Sequence, residues 1–149
     1  MSRRPEPRPR NDFRHFAAIA TRWDDNDMYG HVNNVRYYAF FDTAVNRYLI
    51  EHAGLEPATA PVIGLVVETG CAFFAPLAFP ETVEAGILVA RIGTSSVRYE
   101  VGIFAQGSEQ AAAQGHFVHV YVDRHTQRPT ALPATFRAAL ERIALPNGG

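Results

Sequence analysis

Three carboxylates and one amide stand together at Asp24-Asp25-Asn26-Asp27, just before residues that favour a helix start. The dipole at a helix N-terminus stabilises nearby carboxylates. On the residues alone, a solvated turn that caps the helix is therefore the favoured interpretation. The competing interpretation places one carboxylate beside free backbone amides. That arrangement would supply a nucleophile or general base together with an oxyanion site.

Two metal sites are weighed against these interpretations. A calcium-binding loop that begins at Asp25 would have Tyr29 at its fifth position and Arg36 at its twelfth, where a bidentate glutamate is required. His116 and His119 are three residues apart in a predicted strand, and this spacing sends their side chains to opposite faces. No metal site is predicted.

The elements that must position this segment follow from the pattern of apolar residues. A short β-favouring segment from Phe13 predicts a first strand. Asn33 or Asn34 is a good N-cap, the chain from Val35 to about His52 lacks Gly and Pro, and Gly54 is a plausible stop. The helix is apolar around so much of its circumference that we expect it to be buried on several sides.

The rest of the chain predicts strands and a short final helix. Gly64 and Gly70 are candidate bulge points in the first of these strands. Pro133 opens the final helix. One strand, one helix, four strands and a tail helix predict an antiparallel α+β fold, with the sheet wrapped on the helix. The four later strands are predicted within residues 62–79, 81–93, 95–107 and 111–123.

Length and composition exclude several classes of protein. The chain has 149 residues and a net charge of −1, which fits one domain over residues 13–145 and does not suggest a nucleic-acid partner. One cysteine excludes an internal disulfide. No secretory signal or membrane span is evident, so a cytoplasmic protein without membrane attachment is expected. Residues 1–12 are expected to form a disordered Arg/Pro-rich leader.

One sequence motif resembles that of a known family. Residues 21–34, T-R-W-D-D-N-D-M-Y-G-H-V-N-N, resemble the signature R-W-x-D-x-D-x-x-G-H-V-N-N of hot-dog-fold thioesterases, the 4-hydroxybenzoyl-CoA thioesterase-like group. Three later segments agree in order: ETGCAFFAPLAF, the G-T-S-S turn, and GHFVHVYVDRHTQRP. The resemblance covers roughly residues 13–140. It implies the hot-dog fold, an antiparallel sheet of about five strands wrapped around a long central helix.

The resemblance also implies an activity and roles for individual residues. The expected activity is hydrolysis of an acyl-CoA thioester, with no cofactor because coenzyme A is part of the substrate. The family's catalytic carboxylate falls on Asp27, which acts as nucleophile or general base. The backbone amide that polarises the thioester carbonyl falls on Asn34. His31 orients water or the carboxylate, or else it hydrogen-bonds the loop, and Asp25 holds the loop.

Residues that would contact the substrate are less specific. Phe41 belongs to a set of aromatic side chains that either wall an acyl pocket or fill the core, together with Tyr37, Tyr38, Phe40, Phe73 and Phe74. Several arginines are candidates for the coenzyme A phosphates, with none favoured. The full set expected to bind substrate is Tyr29, Gly30, Val32, Asn33 and Phe41.

Two other functions and several partners remain open at this stage. A hot-dog hydratase or dehydratase resembles a D-x-N-x-x-H arrangement, whereas His31 here follows Asp27 by four residues and Asn26 precedes the carboxylate. A non-catalytic acyl-CoA-binding module on the same fold is the other alternative. Acyl carrier protein is an alternative carrier for the acyl group. A homodimer or a dimer of dimers is expected, since the family's active sites lie between subunits.

Overall fold

The computed structural model describes residues 6–146 and has the predicted order of elements. One strand precedes a helix, four strands follow it, and a short helix ends the fold. Their bounds are β1 His15–Ala20, α1 Arg36–Ala53, β2 Val62–Phe73, β3 Thr82–Ile92, β4 Ser96–Ala105, β5 Ala113–Asp123 and α2 Ala134–Glu141. Neither described helix is long and apolar enough to cross a membrane.

The five strands form one antiparallel sheet in the order β1-β3-β4-β5-β2. β2 is therefore an edge strand, paired only with β5 within the described chain. Its register shifts between Val66 and Glu68. The predicted bulge points, Gly64 and Gly70, instead lie in regular register with β5, so their assignment as bulges is wrong.

α1 packs across the inner face of the sheet and positions the loop before it. The helix ends at Gly54, as predicted, in the left-handed conformation with φ of 71°. Eighteen residues make it a helix of moderate length rather than a long one. It buries a single face, because Asp42 and Arg47 lie on an exposed side. Burial on several sides is therefore a wrong expectation for the single chain.

The inner core lies between α1 and the alternating side chains of the strands. Gly115 on β5 lets α1 approach the sheet closely, since a Cβ at this position would lie 2.5 Å from the ring of Phe41. The hydroxyl groups of two buried tyrosines, Tyr99 and Tyr121, form a hydrogen bond of 2.7 Å beneath this layer. The buried face of α1 comprises Tyr37, Phe40, Phe41, Ala44, Val45, Tyr48, Leu49 and Ala53.

The outer face of the sheet carries a second, smaller apolar cluster. Phe13, Leu88, Phe104 and Ala111 are buried there. Residues 8–13 lie over this face and include a short 3-10 helix, Arg10–Asp12. The disordered leader expected over residues 1–12 therefore does not describe its second half, because ion pairs and an aromatic anchor hold that half on the sheet. Residues 1–5 lie outside the described chain.

Candidate active site

The loop between β1 and α1 folds into a tight turn around Asp27. Asn26 and Val32 form an isolated antiparallel bridge that closes the turn. Inside it, the Asp27 amide donates to the His31 carbonyl at 2.9 Å, and the Gly30 amide donates to the Asp27 carbonyl at 3.1 Å. Gly30 has a φ of +83°, a conformation that glycine adopts at little cost. The turn therefore fixes the backbone on both sides of the carboxylate.

The Asp27 side chain is only partly committed to this turn. Its Oδ1 accepts a hydrogen bond from the Tyr29 amide at 2.9 Å, which is an Asx-turn contact. No salt-bridge partner lies near the Asp27 carboxylate among residues 6–146. The side chain is half-buried. The loop thus presents a carboxylate that is oriented by one backbone donor and is not neutralised by a guanidinium.

The start of α1 leaves one backbone amide without an acceptor. The Arg36 amide donates to the Asn33 carbonyl at 2.9 Å, the Tyr37 amide to the Asn34 carbonyl at 3.3 Å, and the Val35 amide to Asn33 Oδ1 at 3.2 Å. The Asn33 amide is also paired, with a carbonyl of the preceding loop. Within the described part of the chain, the Asn34 amide has no hydrogen-bond partner. Helix N-termini commonly leave such donors available.

Asp25 connects the loop to the first turn of α1. Its carboxylate is 3% exposed and accepts a hydrogen bond from the Arg22 amide at 2.7 Å. The Arg36 guanidinium lies 3.6 Å from Asp25 Oδ1, and the Asp25 carbonyl accepts from the Asn33 amide at 2.8 Å. Both the side chain and the main chain of Asp25 therefore hold the segment on either side of Asn34.

Two further hydrogen bonds tie the loop to the segment that follows β2. The Val32 amide donates to the Leu77 carbonyl at 2.7 Å. Asn26 Oδ1 accepts from the Phe79 amide at 3.0 Å. These contacts place the Asp27 turn against residues 73–79, so that a cleft forms between them.

This cleft, which we call the Asp27 cleft, has a volume of about 400 Å³. One of its walls is aromatic, and burial raises the pKa of the Tyr37 phenol to about 12, so this group is uncharged at neutral pH. Carboxylate, imidazole and unpaired amide meet apolar walls here, which is the composition expected of a small-molecule site. The lining residues are Asp27, His31, Val32, Asn34, Tyr37, Phe73, Phe74, Ala75 and Pro76.

A cavity of similar volume lies on the outer face of the sheet, away from this loop. Its charged residues are engaged with other side chains. The His116 imidazole lies 3.0 Å from Glu68, and Arg98 lies 3.7 Å from the same carboxylate. Glu100 pairs with Arg8. We therefore take the Asp27 cleft as the candidate active site, because its carboxylate and amide are not paired with one another.

The cleft brings together some of the predicted site residues and leaves others outside. Asp27, Asn34, His31 and Val32 line it. Tyr29 contributes a backbone donor while its side chain is 87% exposed, and Gly30 and Asn33 shape the turn and the helix start. Phe41 is fully buried in the core, against Phe117 and Gly115.

Two residues of the cleft were not identified from the sequence, Ala75 and Pro76. They follow β2 directly, and the only sequence signal for them is the proline in the segment that matches the family pattern. Asn26 was also missed as an anchor of the loop. An asparagine between two aspartates in a turn is the available signal, since its amide often bonds the backbone.

Large apolar side chains in the loop between β1 and α1 are exposed. Met28 is fully exposed at the tip of the Asp27 turn, although it is a large apolar side chain. The large exposed apolar residues in this part of the chain are Trp23, Met28, Tyr29 and Val35.

Comparison with known proteins places this geometry in a family. The family model of the thioesterase-like superfamily matches residues 21–140. The structure is similar to that of the PA5185 protein of Pseudomonas aeruginosa, with 54% identity, a TM-score of 0.92, and coverage of 95% of this chain and 99% of that one. No curated protein sequence matches the chain significantly.

Two more distant structures carry functional descriptions. The PA2801 protein of Pseudomonas aeruginosa, a candidate thioesterase, shares 30% identity at a TM-score of 0.80, over 86% of this chain and 98% of that one. The BH1999 gentisyl-coenzyme A thioesterase shares 25% identity at a TM-score of 0.75, over 85% and 99%. These matches confirm the predicted hot-dog fold and thioester hydrolase, while the 4-hydroxybenzoyl-CoA subgroup stays a prediction. The chain belongs to the thioesterase-like superfamily.

Proposed function

We propose that the protein hydrolyses an acyl-CoA thioester to a free carboxylic acid and coenzyme A in the Asp27 cleft. The observation that carries the proposal is the unpaired backbone N–H of Asn34, a residue that lines the same cleft as Asp27. Thioester hydrolysis needs a donor for the developing oxyanion and a base or nucleophile near the carbonyl carbon. This cleft offers one of each.

The Asn34 amide serves as the oxyanion donor. A free N–H at the start of α1 points where the helix dipole favours negative charge. The thioester oxygen becomes anionic as the carbonyl carbon turns tetrahedral, so this donor stabilises the transition state more than the substrate. Asp25 supports the donor as a positioning residue, because its carboxylate and carbonyl hold Arg36 and Asn33 on either side of it.

Asp27 acts on the carbonyl carbon by one of two routes. In the first, its carboxylate attacks, expels the coenzyme A thiolate and forms a mixed anhydride that water hydrolyses to the acid and free Asp27. In the second, it removes a proton from the attacking water. Either route needs little acid assistance, since a thiol ionises with a pKa of about 8.5. His31 lines the cleft and orients the water or the carboxylate.

The carrier and the acyl group are proposed at the level of class. The aromatic wall of the cleft, with Tyr37, Phe73 and Phe74, fits an apolar acyl group, aromatic or aliphatic. Similarity to a gentisyl-coenzyme A thioesterase supports coenzyme A as the carrier. Acyl carrier protein is the alternative carrier.

We also propose that two copies of the chain complete the site, as a homodimer or a dimer of dimers. The support is the open edge of β2, whose middle residues Leu65, Val66 and Val67 are 39%, 45% and 59% exposed. Such an edge is a ready template for pairing with another strand. β2 also ends at Phe73 in the wall of the cleft, so a partner strand on this edge would lie near the substrate.

The direct test is a panel of aromatic and aliphatic acyl-CoAs with a thiol reagent that detects released coenzyme A. We expect release with the native chain and a loss of about 10² to 10⁴ in kcat for Asp27→Asn, with an unchanged melting temperature. Asp24→Asn is the matched control, because Asp24 is exposed and lies outside the cleft. Native turnover by Asp27→Asn would overturn the assignment. Loss of enoyl absorbance without thiol release would instead identify a hydratase, and binding without turnover a non-catalytic module.

A further inference from the structure

The Asp27 turn is held in its own shape by contacts within it. The Asp27 carboxylate accepts a hydrogen bond from the Tyr29 amide, two residues further along the same turn. The side chains of Met28 and Tyr29 at the tip are almost completely exposed, so they do not pack on the rest of the domain. The position of the carboxylate in the cleft therefore depends on contacts at the base of the turn.

Two hydrogen bonds at this base reach the segment that follows β2, on the other side of the cleft. Asn26 and Val32 bridge each other across the base. The Val32 amide donates to the carbonyl of Leu77, a core residue that is 2% exposed, and the Phe79 amide donates to Asn26 Oδ1 at 3.0 Å. The first bond joins two main chains and is available to any residue except proline at position 32. The second exists only because the side chain at position 26 carries an acceptor.

The segment that donates to Asn26 is fixed by contacts of its own. The Ala78 amide donates to Glu81 Oε1 at 3.1 Å, and the Glu81 amide donates to the Ala78 carbonyl at 2.9 Å. The Thr21 hydroxyl donates to the Glu81 carbonyl at 2.5 Å, which ties the segment to the residue after β1. The ring of Trp23 meets that of Phe79 edge to face at 6.0 Å. The Phe79 amide is therefore a fixed donor, against which the Asn26 side chain locates the turn.

Asn26 and Asp25 act on different parts of the site. Asp25 holds the backbone on either side of Asn34, so it fixes the loop on the start of α1. Asn26 joins the loop to the chain that continues from residues 73–76, which line the opposite side of the cleft. Without the Asn26 acceptor, the loop keeps its contacts with α1 but loses one of its two links to this wall. A displacement of about 1 Å can cost a factor of ~10² in rate, because attack requires a narrow range of distances and angles.

We propose that Asn26 is a positioning residue of the hydrolysis, whose side-chain oxygen sets the distance between the Asp27 carboxylate and an acyl group bound against residues 73–76. This role rests on the proposed function, because it requires that Asp27 acts on a thioester in the cleft. Asn26 acts through the backbone of its neighbour rather than on the substrate. The wall binds the acyl group whether or not the turn is held in place, so loss of the contact lowers kcat far more than it raises KM.

The test compares kcat and KM of three single variants with an acyl-CoA that the native chain hydrolyses. Asn26→Ala removes the acceptor, and we expect kcat to fall by about 10- to 100-fold while KM changes by less than about threefold. Asn26→Asp keeps an oxygen at the same reach, and we expect it to recover kcat to within about fivefold of the native value. Asn46→Ala is the matched control and should keep native kcat. It removes a side-chain amide that bonds the Asp42 carbonyl at 2.8 Å on α1, outside the cleft.

Three outcomes would overturn the positioning role of Asn26. The first is native kcat in a folded Asn26→Ala, and the second is an Asn26→Asp that loses as much kcat as Asn26→Ala. Asn26→Leu, which has nearly the same shape and no acceptor, replaces Asn26→Ala if that variant does not fold. The third outcome is that neither acceptor-free variant folds, which would make Asn26 a structural part of the domain. A native chain that hydrolyses none of the acyl-CoA panel would instead contradict the proposed function itself.

Discussion

Two carboxylates only two residues apart have different surroundings, and this difference suggests different tasks. Asp25 is buried and bonded to a backbone amide and two guanidinium groups. Asp27 is half-buried, bonded to one amide, and lines the cleft. In an extended chain, two residues that are two positions apart lie on the same face. The chain forms a 3-10 turn at Trp23–Asp25 instead, so the spacing of Asp25 and Asp27 did not reveal their different surroundings.

The buried carboxylate leads to a prediction about stability. Asp25→Ala leaves the part-buried Arg22 amide without its acceptor and removes an ion-pair partner of the Arg36 guanidinium, so the free energy of unfolding should fall by about 2 kcal/mol. Asp24→Ala is the control. Its carboxylate is 66% exposed, and its removal should cost less than about 0.5 kcal/mol, since exposed ion pairs contribute little. Denaturant titration measures both, and equal losses would contradict the assigned role of Asp25.

At the scale of elements, β-favouring and alternating apolar segments predicted every strand, and Pro133 predicted the start of the tail helix. Gly54 also marked the end of α1 correctly, because the chain there needs a positive φ. The bulge in β2 was missed, since it depends on how β2 and β5 pair, which no local pattern encodes. Phe41 stays a predicted substrate contact, although its side chain is fully buried in the core of the single chain. Helical spacing groups the aromatic residues but does not say which of them faces the cleft and which the core.

The open edge of β2 gives a prediction at the same scale. The double substitution Val66→Lys and Val67→Lys places positive charge on an exposed apolar edge, which disfavours strand pairing between copies. We expect the molar mass in light scattering to fall to that of one chain and kcat to fall with it. Glu109→Lys, in the exposed β4–β5 connection, is the charge-matched control. A native mass for the β2 variant would exclude pairing through this edge.

At the scale of the whole molecule, the uneven charge along the chain acquires a structural meaning. The first fourteen residues carry five arginines against two acidic residues, and the rest carries nine against thirteen. Arg8 and Arg10 pair with Glu100 and Glu84 across the outer face, so part of this asymmetry is satisfied within the chain. The sequence suggested a disordered leader because contacts over such separations leave no local periodicity.

A buried histidine makes the stability of the whole fold depend on pH. His119 is 2% exposed, and burial lowers its pKa to about 4 from an ordinary 6.5. Its Nδ1 lies 3.3 Å from the Tyr121 hydroxyl, and Nε2 has no partner within residues 6–146. Between these two pKa values the unfolded chain binds a proton that the folded chain excludes. Acidification therefore favours unfolding across this interval.

The expected loss in the free energy of unfolding follows from the difference between the two pKa values. The free energy of unfolding should fall as the pH drops from about 6.5 to about 4, by up to about 3 kcal/mol from this group. His119→Phe keeps a ring in the aromatic surroundings and removes the titrating group, so this contribution should vanish. Denaturant titrations of both proteins at pH 7 and at several acidic values measure the difference. Identical pH dependence would show that His119 is not the responsible group.

The most direct test of the proposed active site removes the backbone N–H of Asn34 while leaving the rest of the loop in place. Asn34→Pro eliminates the N–H, whereas Asn34→Ala keeps it and loses only the side chain. With an acyl-CoA that the native chain hydrolyses, we expect Asn34→Ala to retain native kcat. Asn34→Pro should lose about 10² to 10³ in kcat at a similar KM, as expected for the loss of one oxyanion donor. Native turnover by a folded Asn34→Pro would contradict the account.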